Sequence, residues 1–331
     1  MSQQPFSAFH EARPRSSILL GVLFGGVFAT ASASIMIRLA QSLGMSSTTI
    51  AAGRLLVAAI ILLPIMLWRA RAEVRALGRS DVLLGVVSGV FLAFHFVFWI
   101  SSLEYTSVAS SVALVATNPL WVGLFGLLVL RERLTQFMLI GILLTFGGSL
   151  LIGLSDGSGA HASNALLGDG LALLGALAGS AYFLIGRELR RRLSTLTYIW
   201  LVYSSAALVL LAIALARGWG AAPASFGQPA VFGYPLTAYL LLLGLALGPQ
   251  LLGHTSFNWA LRYLSATFVA VAILGEPIGS ALLALMLFRE GFALWQFFGF
   301  VLLLGGIVVA ARAERTSVQP EDLVVQQSAG M

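Results

Sequence analysis

A glutamate and a proline stand side by side in the middle of an apolar run, VAILGEPIGSALLAL, residues 271–285. An ionised side chain at the centre of a bilayer costs roughly 2.5–3.5 kcal/mol on insertion scales. Glu276 must therefore be protonated, find a partner or face a cavity. It is either a neutral acid tied to a nearby backbone group, or a cavity group that binds a cationic substrate and takes up protons. We favour the second interpretation, which makes Glu276 the candidate proton-coupling residue.

A second set of polar residues recurs at every fourth position of GPQLLGHTSFNWAL, residues 248–261. Gln250, His254 and Asn258 would share one face of a helix. In an apolar helix such a stripe indicates a bundle interior or an aqueous path, so Gln250 and Asn258 are candidate substrate-binding residues. His254 is either a hydrogen-bonded filler of the core or a proton relay with Glu276, and we group it with the proton-coupling residues.

A third set is aromatic and lies in VFLAFHFVFWISS, residues 90–102. Phe91, His95 and Trp99 are spaced by four and share a helical face. They either fill the core and face lipid, or they line a substrate cavity in which the face of Trp99 suits an apolar or cationic solute. Tyr182 is a candidate of the same type. All four enter the predicted substrate-binding set.

Enzyme and cofactor motifs do not fit this chain. GLSDG at 153–157 matches G-x-S-x-G, but it ends an apolar helix instead of joining a strand to a helix. There is no cysteine, the four histidines lack metal-ligand spacing, and there is no lysine for a phosphate-binding loop. The sequence therefore predicts no enzymatic activity, no metal and no cofactor.

The composition is that of a multi-pass membrane protein. Of 331 residues, 59% are hydrophobic and 10% are charged, whereas soluble domains are about half apolar and about a quarter charged. Apolar stretches of about 20 residues, the length that spans a bilayer, recur from end to end. They predict an all-α protein with ten transmembrane helices near 17–38, 47–68, 81–102, 107–130, 136–154, 168–188, 196–216, 236–258, 264–288 and 294–312.

The arginines set the expected orientation. With a cytoplasmic N-terminus, fifteen of the nineteen basic residues lie inside and three lie outside, which is a strong positive-inside bias. The protein is therefore predicted to lie in the inner membrane with both termini on the cytoplasmic side. Arginine clusters between apolar runs are typical of loops on an anionic leaflet, and they argue against nucleic acid as a partner. The expected partners are the lipid bilayer, protons and a small-molecule substrate, and the chain is either a monomer or a homodimer.

The chain matches itself without gaps at an offset of 158 positions. Pro119 falls on Pro277, and the pairs at 131–132 and 147–148, Arg-Glu and Gly-Gly, fall on identical pairs at 289–290 and 305–306. The match predicts two five-helix repeats, 17–154 and 168–312, with a cytoplasmic tail at 1–16, an outer linker at 155–167 and a second cytoplasmic tail at 313–331.

An odd number of helices per repeat inverts the second copy. Inverted repeats are typical of secondary transporters, whose binding site lies near the membrane midplane between the repeats. The mate of Glu276 is Asn118, which we add to the predicted substrate-binding residues. A carboxylate present in one copy only favours a functional role over a scaffolding one.

Five further residues are assigned to structure and hinge motion. Pro119 and Pro277 are expected to kink their helices, and Gly275 and Gly279 form a GxxxG pattern that permits close helix approach. Arg54, early in the second span, is expected to pair with Glu104, to reach the outer interface or to receive a substrate carboxylate, and we favour the structural roles.

These segments resemble the ten-helix EamA branch of the drug/metabolite transporter superfamily. The resemblance rests on AAGRLLVAA around Arg54, NPLWVGLFGLLVLRERL, EPIGSALLALMLFREGF and GFVLLLGGIVV, and it covers nearly the whole chain. It implies transport of amino acids, related metabolites or drugs through a cavity lined chiefly by spans 1, 3, 4, 6, 8 and 9.

The sequence thus predicts a proton-coupled secondary transporter of small organic solutes that works by alternating access, with Glu276 exchanging a proton for substrate. The alternative is an uncoupled facilitator or exporter of neutral or aromatic amino acids, in which Glu276 is structural.

Overall fold

A computed structural model of the protein describes residues 14–105, 111, 114–115, 117–129, 135–155, 165–220, 233–276, 278–280, 283, 286 and 294–317. Within these residues the regular structure is helical throughout, which confirms the all-α prediction. The helices of the first half are α1 Ser16–Ala31, α2 Ala33–Ser42, α3 Ser47–Arg69, α4 Arg71–Arg75, α5 Arg79–Tyr105, α6 Asn118–Val129 and α7 Gln136–Ser155. Those of the second half are α8 Ala165–Arg190, α9 Thr195–Gly220, α10 Leu236–Leu245, the π segment Ala246–His254, α11 Thr255–Ala260, α12 Ala266–Ile273 and α13 Leu294–Ser317.

Helices long and apolar enough to cross a membrane recur along the described chain. Six stretches meet this description: Ser16–Ser42, Ser47–Arg69, Arg79–Tyr105, Leu166–Arg190, Thr195–Ala216 and Leu236–Ala260. They agree with six of the predicted spans, and α7 and α13 begin where two more were expected. The predicted spans 107–130 and 264–288 lie partly outside the described residues, with α6 and α12 as their described parts. The count of ten and the orientation stay predictions.

Serine hydroxyls cap the first turns of α3 and α12, as one also does at α9. The Ser46 hydroxyl accepts a hydrogen bond from Thr49 N (3.2 Å) at the start of α3, and the Ser265 hydroxyl accepts one from Phe268 N (3.1 Å) at the start of α12. Each cap satisfies a backbone donor that the first helical turn leaves without a partner. The two helices that carry Arg54 and lead to Glu276 are therefore fixed at their first turns.

The first transmembrane stretch is interrupted at Ser32, between α1 and α2. Such a break frees backbone carbonyls, which need partners inside a membrane. The Ser280 hydroxyl, from the second half of the chain, donates a hydrogen bond of 2.8 Å to Ala31 O. A side chain from one half thus completes the backbone of the other.

A second irregularity is the π segment between α10 and α11. Pro249 lies inside it and has no N–H to donate to the helical ladder. The N–H of Thr255 donates to Gln250 O, five residues back, which is the wide hydrogen-bonding pattern of a π-helix. This turn alters the directions in which the following polar side chains project.

Helix packing follows a two-fold pattern that relates the halves. α5 packs on α8 of the other half, and the π segment packs on α1 in the same way. Three further contacts pair equivalent helices of the two halves, α3 with α9, α6 with α12, and α7 with α13, while α5 also packs on α9 and α6 on α8. The halves are therefore interleaved along their whole length.

The contact between α7 and α13 depends on glycine. A Cβ added to Gly306 would lie 2.7 Å from both Gly141 O and Thr145 N, and one added to Gly141 would lie 2.9 Å from Gly306 O. Lipid tails are as apolar as the helix surfaces, so no hydrophobic effect drives helices together in a bilayer. Close backbone approach instead supplies the van der Waals contact that holds α7 and α13 together. These two glycine-rich helices pack within the chain.

Replacing Gly306 by alanine should destabilise the protein, because the new methyl group meets backbone atoms of α7 that cannot move aside. We expect a loss of about 1–3 kcal/mol in the free energy of unfolding, typical of overpacking, measured by thermal unfolding in detergent. The matched control is Gly305→Ala, whose added Cβ meets no atom within 4 Å. Equal melting temperatures for the two variants would contradict this packing.

Candidate functional site

A cavity lies between the two halves of the bundle and contains about 680 Å³ of empty space, including the part open to its surroundings. The first half contributes Thr30, Ala33, Arg54, His95, Trp99, Val115 and Asn118. The second half contributes Phe183, Pro249, His254, Phe257, Ala270, Ile273, Leu274 and Glu276. Neither half encloses this space alone, so any motion of one half against the other changes it.

Repeat mates meet in the cavity wall. At the offset of 158, Trp99 corresponds to Phe257, Val115 to Ile273, and Asn118 to Glu276. All six side chains line the same space. The cavity therefore contains the local pseudo-axis of the duplication, the position expected of a binding site in a transporter built from repeats.

Glu276 is half-buried in this wall and follows α12 after a turn at Leu274 and Gly275. The Thr30 hydroxyl of α1 lies beside its carboxyl group, and the Arg54 guanidinium acts on its charge through space. Glu276 is thus a carboxyl group open to the cavity, with a hydroxyl and a cation as neighbours.

Arg54 is completely buried, with an exposed fraction of 0%, although it lies within a membrane-spanning helix. Its guanidinium carbon lies 4.2 Å from the centre of the Phe96 ring, which supplies a cation–π contact. Its Nε, Nη1 and Nη2 atoms have no hydrogen-bond partner among the residues described. The side chain therefore neither reaches the outer interface nor pairs with Glu104, which is exposed, because its position in α3 faces the interior.

The two cavity histidines differ in their hydrogen bonds. His95 Nδ1 lies 2.9 Å from Gly175 O, and because a carbonyl only accepts, Nδ1 carries the proton. The His95 ring stacks on Trp99 with 6.0 Å between ring centres. His254 packs edge-on against Phe96 and Phe257, and its Nδ1 has no partner in the described part of the chain. His254 thus keeps a polar atom available at the cavity.

Small residues of α8 allow these side chains to approach. A Cβ on Gly179 would lie 2.7 Å from His95 Nδ1 and 3.0 Å from Asn118 Nδ2. The neighbouring Ser180 hydroxyl donates to Asn118, with Asn118 O and Oδ1 each at 3.2 Å. The backbone of α8 therefore forms a surface on which His95 and Asn118 are held toward the cavity.

A polar network continues from the cavity wall into the core. Tyr182 OH donates to Asn258 Oδ1 (2.8 Å), and Asn258 Nδ2 donates to His254 O (2.9 Å) and Tyr203 OH (3.3 Å). Arg190 Nε donates to Asn258 O (3.0 Å), so the network ends on a second fully buried arginine. Because its members come from α8, α9, the π segment and α11, it ties the helices of the second half together.

Four predicted substrate-binding residues are absent from the described cavity wall: Phe91, Gln250, Asn258 and Tyr182. Phe91 packs against the core, while Asn258 and Tyr182 are partners in the network behind the wall. The predicted stripe assumed an unbroken α-helix, but Gln250 lies in the wide π segment, and only His254 of that stripe reaches the cavity. His95, Trp99, Asn118 and Glu276 all line the cavity, and their roles there stay predictions.

The structural and hinge residues lie around this site. Added Cβ atoms on Gly275 and Gly279 would lie 3.1 Å from Val27 Cγ1 and 2.6 Å from Ala31 Cβ, so both glycines adjoin α1. Pro119 is in the first turn of α6. Pro277 lies outside the described residues.

Sequence reasoning missed a contact between the two halves near α4 and the turn before α9, which we call the latch. The Glu73 carboxylate accepts hydrogen bonds from Ser194 N (2.7 Å), Ser194 Oγ (2.5 Å) and Thr197 Oγ1 (2.6 Å). Arg192 Nη1 lies 3.0 Å from Asp81 Oδ1. The arginine cluster at 187–192 indicated only orientation, since no local pattern marks a contact between segments so far apart in sequence.

Comparisons with known proteins agree with this architecture. Residues 16–154 and 166–312 each match the "EamA-like transporter family", which confirms the duplication and the resemblance inferred from the residues. An "Uncharacterized transporter YetK" of Bacillus subtilis is 25% identical over 309 residues, 86% of this chain and 89% of that protein. An "Uncharacterized transporter" of Archaeoglobus fulgidus is 25% identical over 268 residues, 80% of this chain and 86% of that protein. A solved crystal structure shares the fold with a TM-score of 0.68 and 20% identity, covering 92% of this chain and 100% of the other.

The Tyr182–Asn258 hydrogen bond should be measurable by a double-mutant cycle. Tyr182→Phe should cost about 1–3 kcal/mol in the free energy of unfolding, because it leaves the buried Asn258 Oδ1 without its donor. In the double variant Tyr182→Phe/Asn258→Leu, the loss of unfolding free energy should be about 0.5–3 kcal/mol smaller than the sum of the losses in the two single variants. Both are measured in detergent.

As a control, Tyr182→Phe combined with Trp121→Phe should be additive, since the Trp121 indole donates to Thr117 and shares no partner with Tyr182. Equal additivity in both cycles would show that Tyr182 and Asn258 do not interact.

Proposed function

The chain belongs to the EamA-like transporter family and is a multi-pass membrane transporter, and from this premise we propose that it is a secondary active transporter coupled to protons. It moves small organic solutes across the inner membrane by alternating access, with Glu276 as the proton site. Its substrates are amino acids, related metabolites or cationic compounds.

The observation that carries this proposal is the position of Glu276 in a cavity shared by both repeats. It is the one carboxylate among the described residues of the wall, and its repeat mate there is the neutral Asn118. An intramembrane carboxyl group that faces a cavity is by default a candidate for proton or cation binding. The asymmetry between mates supports a role in coupling rather than in the scaffold.

The groups around Glu276 support competition between a proton and a solute. Arg54, His95, His254 and Thr30 line the same cavity and come from four different elements. A cationic group of a solute that binds the carboxylate displaces the proton, and reprotonation from the other side releases the solute. Each cycle then exchanges solute for protons.

The latch provides a physical basis for alternating access. It joins α4 and the start of α5 in the first half to the turn between α8 and α9 and the first turn of α9 in the second. In the predicted orientation these segments are cytoplasmic. A closed latch holds the halves together at that end, and opening it lets the halves rock about the cavity.

Glu276→Gln should abolish accumulation driven by a pH gradient, because glutamine keeps the shape of the side chain but cannot take up a proton. Solute exchange without a gradient should persist in part. The measurement is uptake into proteoliposomes of a solute found by thermal-shift screening of the purified protein.

The matched control for that measurement is Glu104→Gln, which removes an exposed carboxylate and should leave accumulation unchanged. Normal accumulation by the Glu276 variant would contradict proton coupling at this residue. If solute flux in the wild-type protein did not depend on the pH gradient, the protein would instead be an uncoupled facilitator in which Glu276 is structural.

Opening of the latch should be visible by thiol labelling, since the natural chain contains no cysteine. Ala33→Cys places a single thiol in the cavity wall. Adding Glu73→Ala should increase its labelling by an impermeant maleimide several-fold from the cytoplasmic side, because three hydrogen bonds to the carboxylate are lost.

Labelling from the opposite side should decrease in the same variant, since opening at one end closes the other. Glu104→Ala in the same single-cysteine chain is the control and should label like the parent. Unchanged labelling after Glu73→Ala would mean that the latch does not restrict access to the cavity.

A further inference from the structure

Besides the Gln250 amide, which lies outside the cavity wall, three buried side-chain groups lack a hydrogen-bond partner in the described structure, and these three line the cavity. They are the Arg54 guanidinium, the Trp99 indole N–H and Nδ1 of His254. Arg54 and Trp99 can only donate, and His254 donates in one of its tautomers. Buried polar groups in proteins are nearly always paired. A cluster of unpaired donors in one wall therefore indicates an acceptor that the protein does not itself supply.

We propose that this cluster binds a carboxylate group of the transported solute, with Arg54 as the specificity-determining residue. This inference rests on the proposed function and deepens it. A guanidinium presents N–H groups in a planar fork that matches the two oxygens of a carboxylate. Trp99 and His254 supply further donors around the same anion.

The second buried arginine shows that these unpaired groups are not a general property of the chain. Arg190 is also 0% exposed, yet its Nε donates to Asn258 O, its Nη1 donates to Leu193 O and its Nη2 donates to Thr195 Oγ1. Arg54 has the same burial with none of these bonds among the described residues. The Phe96 ring stabilises its charge from one face but leaves the in-plane donors unused.

Charge balance extends the argument to the rest of the solute. Glu276 lines the same cavity as Arg54, and in this proposal the solute carboxylate offsets the charge of Arg54. Glu276 is then left to bind a solute ammonium group or a proton, because an uncompensated buried charge is costly. The rings of Trp99, Phe183 and Phe257 cover an apolar remainder. The site thus accepts zwitterions, whose ammonium group competes with the proton at Glu276 as in the proposed exchange.

The test uses three matched probes on the purified full-length protein in detergent: phenylalanine, phenylalaninamide and 3-phenylpropionate. Phenylalaninamide lacks the carboxylate, and 3-phenylpropionate lacks the ammonium group. Binding is followed by tryptophan fluorescence and by the shift in melting temperature. At least one of the two acids should bind, and the amide should bind about 10–100-fold more weakly, the effect of losing a hydrogen bond to a charged group.

Comparing phenylalanine with 3-phenylpropionate shows whether the ammonium group of the solute contributes to binding. Preference for phenylalanine supports a zwitterion with its ammonium group on Glu276. Equal binding of 3-phenylpropionate would support the carboxylate site at Arg54 but contradict the competition between solute and proton in the proposed function. Equal binding of amide and acids, or no binding by either acid at millimolar concentration, would overturn the proposal.

Two variants assign the effect to the donors. Arg54→Lys should keep the charge and fold but weaken acid binding, since an ammonium lacks the fork, and Arg54→Gln should remove the preference for acid over amide. Trp99→Phe should weaken acid binding, whereas Trp121→Phe removes an indole that is paired with Thr117 outside the cavity and should not. An undiminished acid preference in both Arg54→Lys and Trp99→Phe would assign the anion to other residues.

These binding measurements do not depend on transport. Acid-selective binding without flux would contradict the proposed function and leave this inference standing. Proton-driven flux of the amide and the acids alike would support the proposed function and contradict this inference.

Discussion

The cost of covering a charge in an apolar environment governs how this bundle is built. A bilayer supplies no water to side chains that it covers, so each buried polar group needs a partner within the protein or a cavity to face. Arg190 meets this condition with hydrogen bonds to the backbone and to a threonine. Arg54 does not, and it lies beside the cavity. The same constraint is thus met by hydrogen bonds within the protein at Arg190, whereas at Arg54 the donors stay unpaired beside the cavity.

Close helix approach is what brings the polar groups of distant segments together. Glycines on α8 leave room for His95 and Asn118, and glycines after α12 leave room for α1. In lipid, where apolar contact between helices has no advantage over contact with acyl chains, this approach also supplies the packing energy. The residues that hold the bundle together and those that shape the site are therefore neighbours, and a methyl group added at Gly179 would disturb both.

Local patterns in the sequence predicted much of this arrangement, because span length and residue spacing are local properties. Apolar length gave six stretches that the described structure contains, and the fixed offset gave repeat mates that meet in one cavity. The predicted four-residue spacing did not bring Gln250 to the cavity, because Gln250 lies next to Pro249 in a π segment and not in a regular α-helix. Residue spacing also failed to find the partners of Glu73, since a contact between segments more than 100 residues apart leaves no periodic signal. The sequence identified Arg54 as an arginine within a membrane span, but it could not predict that the side chain is fully buried with unpaired donors.

The difference between repeat mates connects symmetry to coupling. In a duplicated transporter the two conformations are related approximately by exchanging the roles of the halves. A proton bound by a symmetric pair of residues would stabilise both conformations alike, and a ligand shifts an equilibrium only when it binds the two states unequally. Glu276 and Asn118 line one cavity, in which the mates Trp99 and Phe257 are both aromatic. In the proposed mechanism, an amide at one mate and a carboxyl group at the other let protonation favour one conformation over the other.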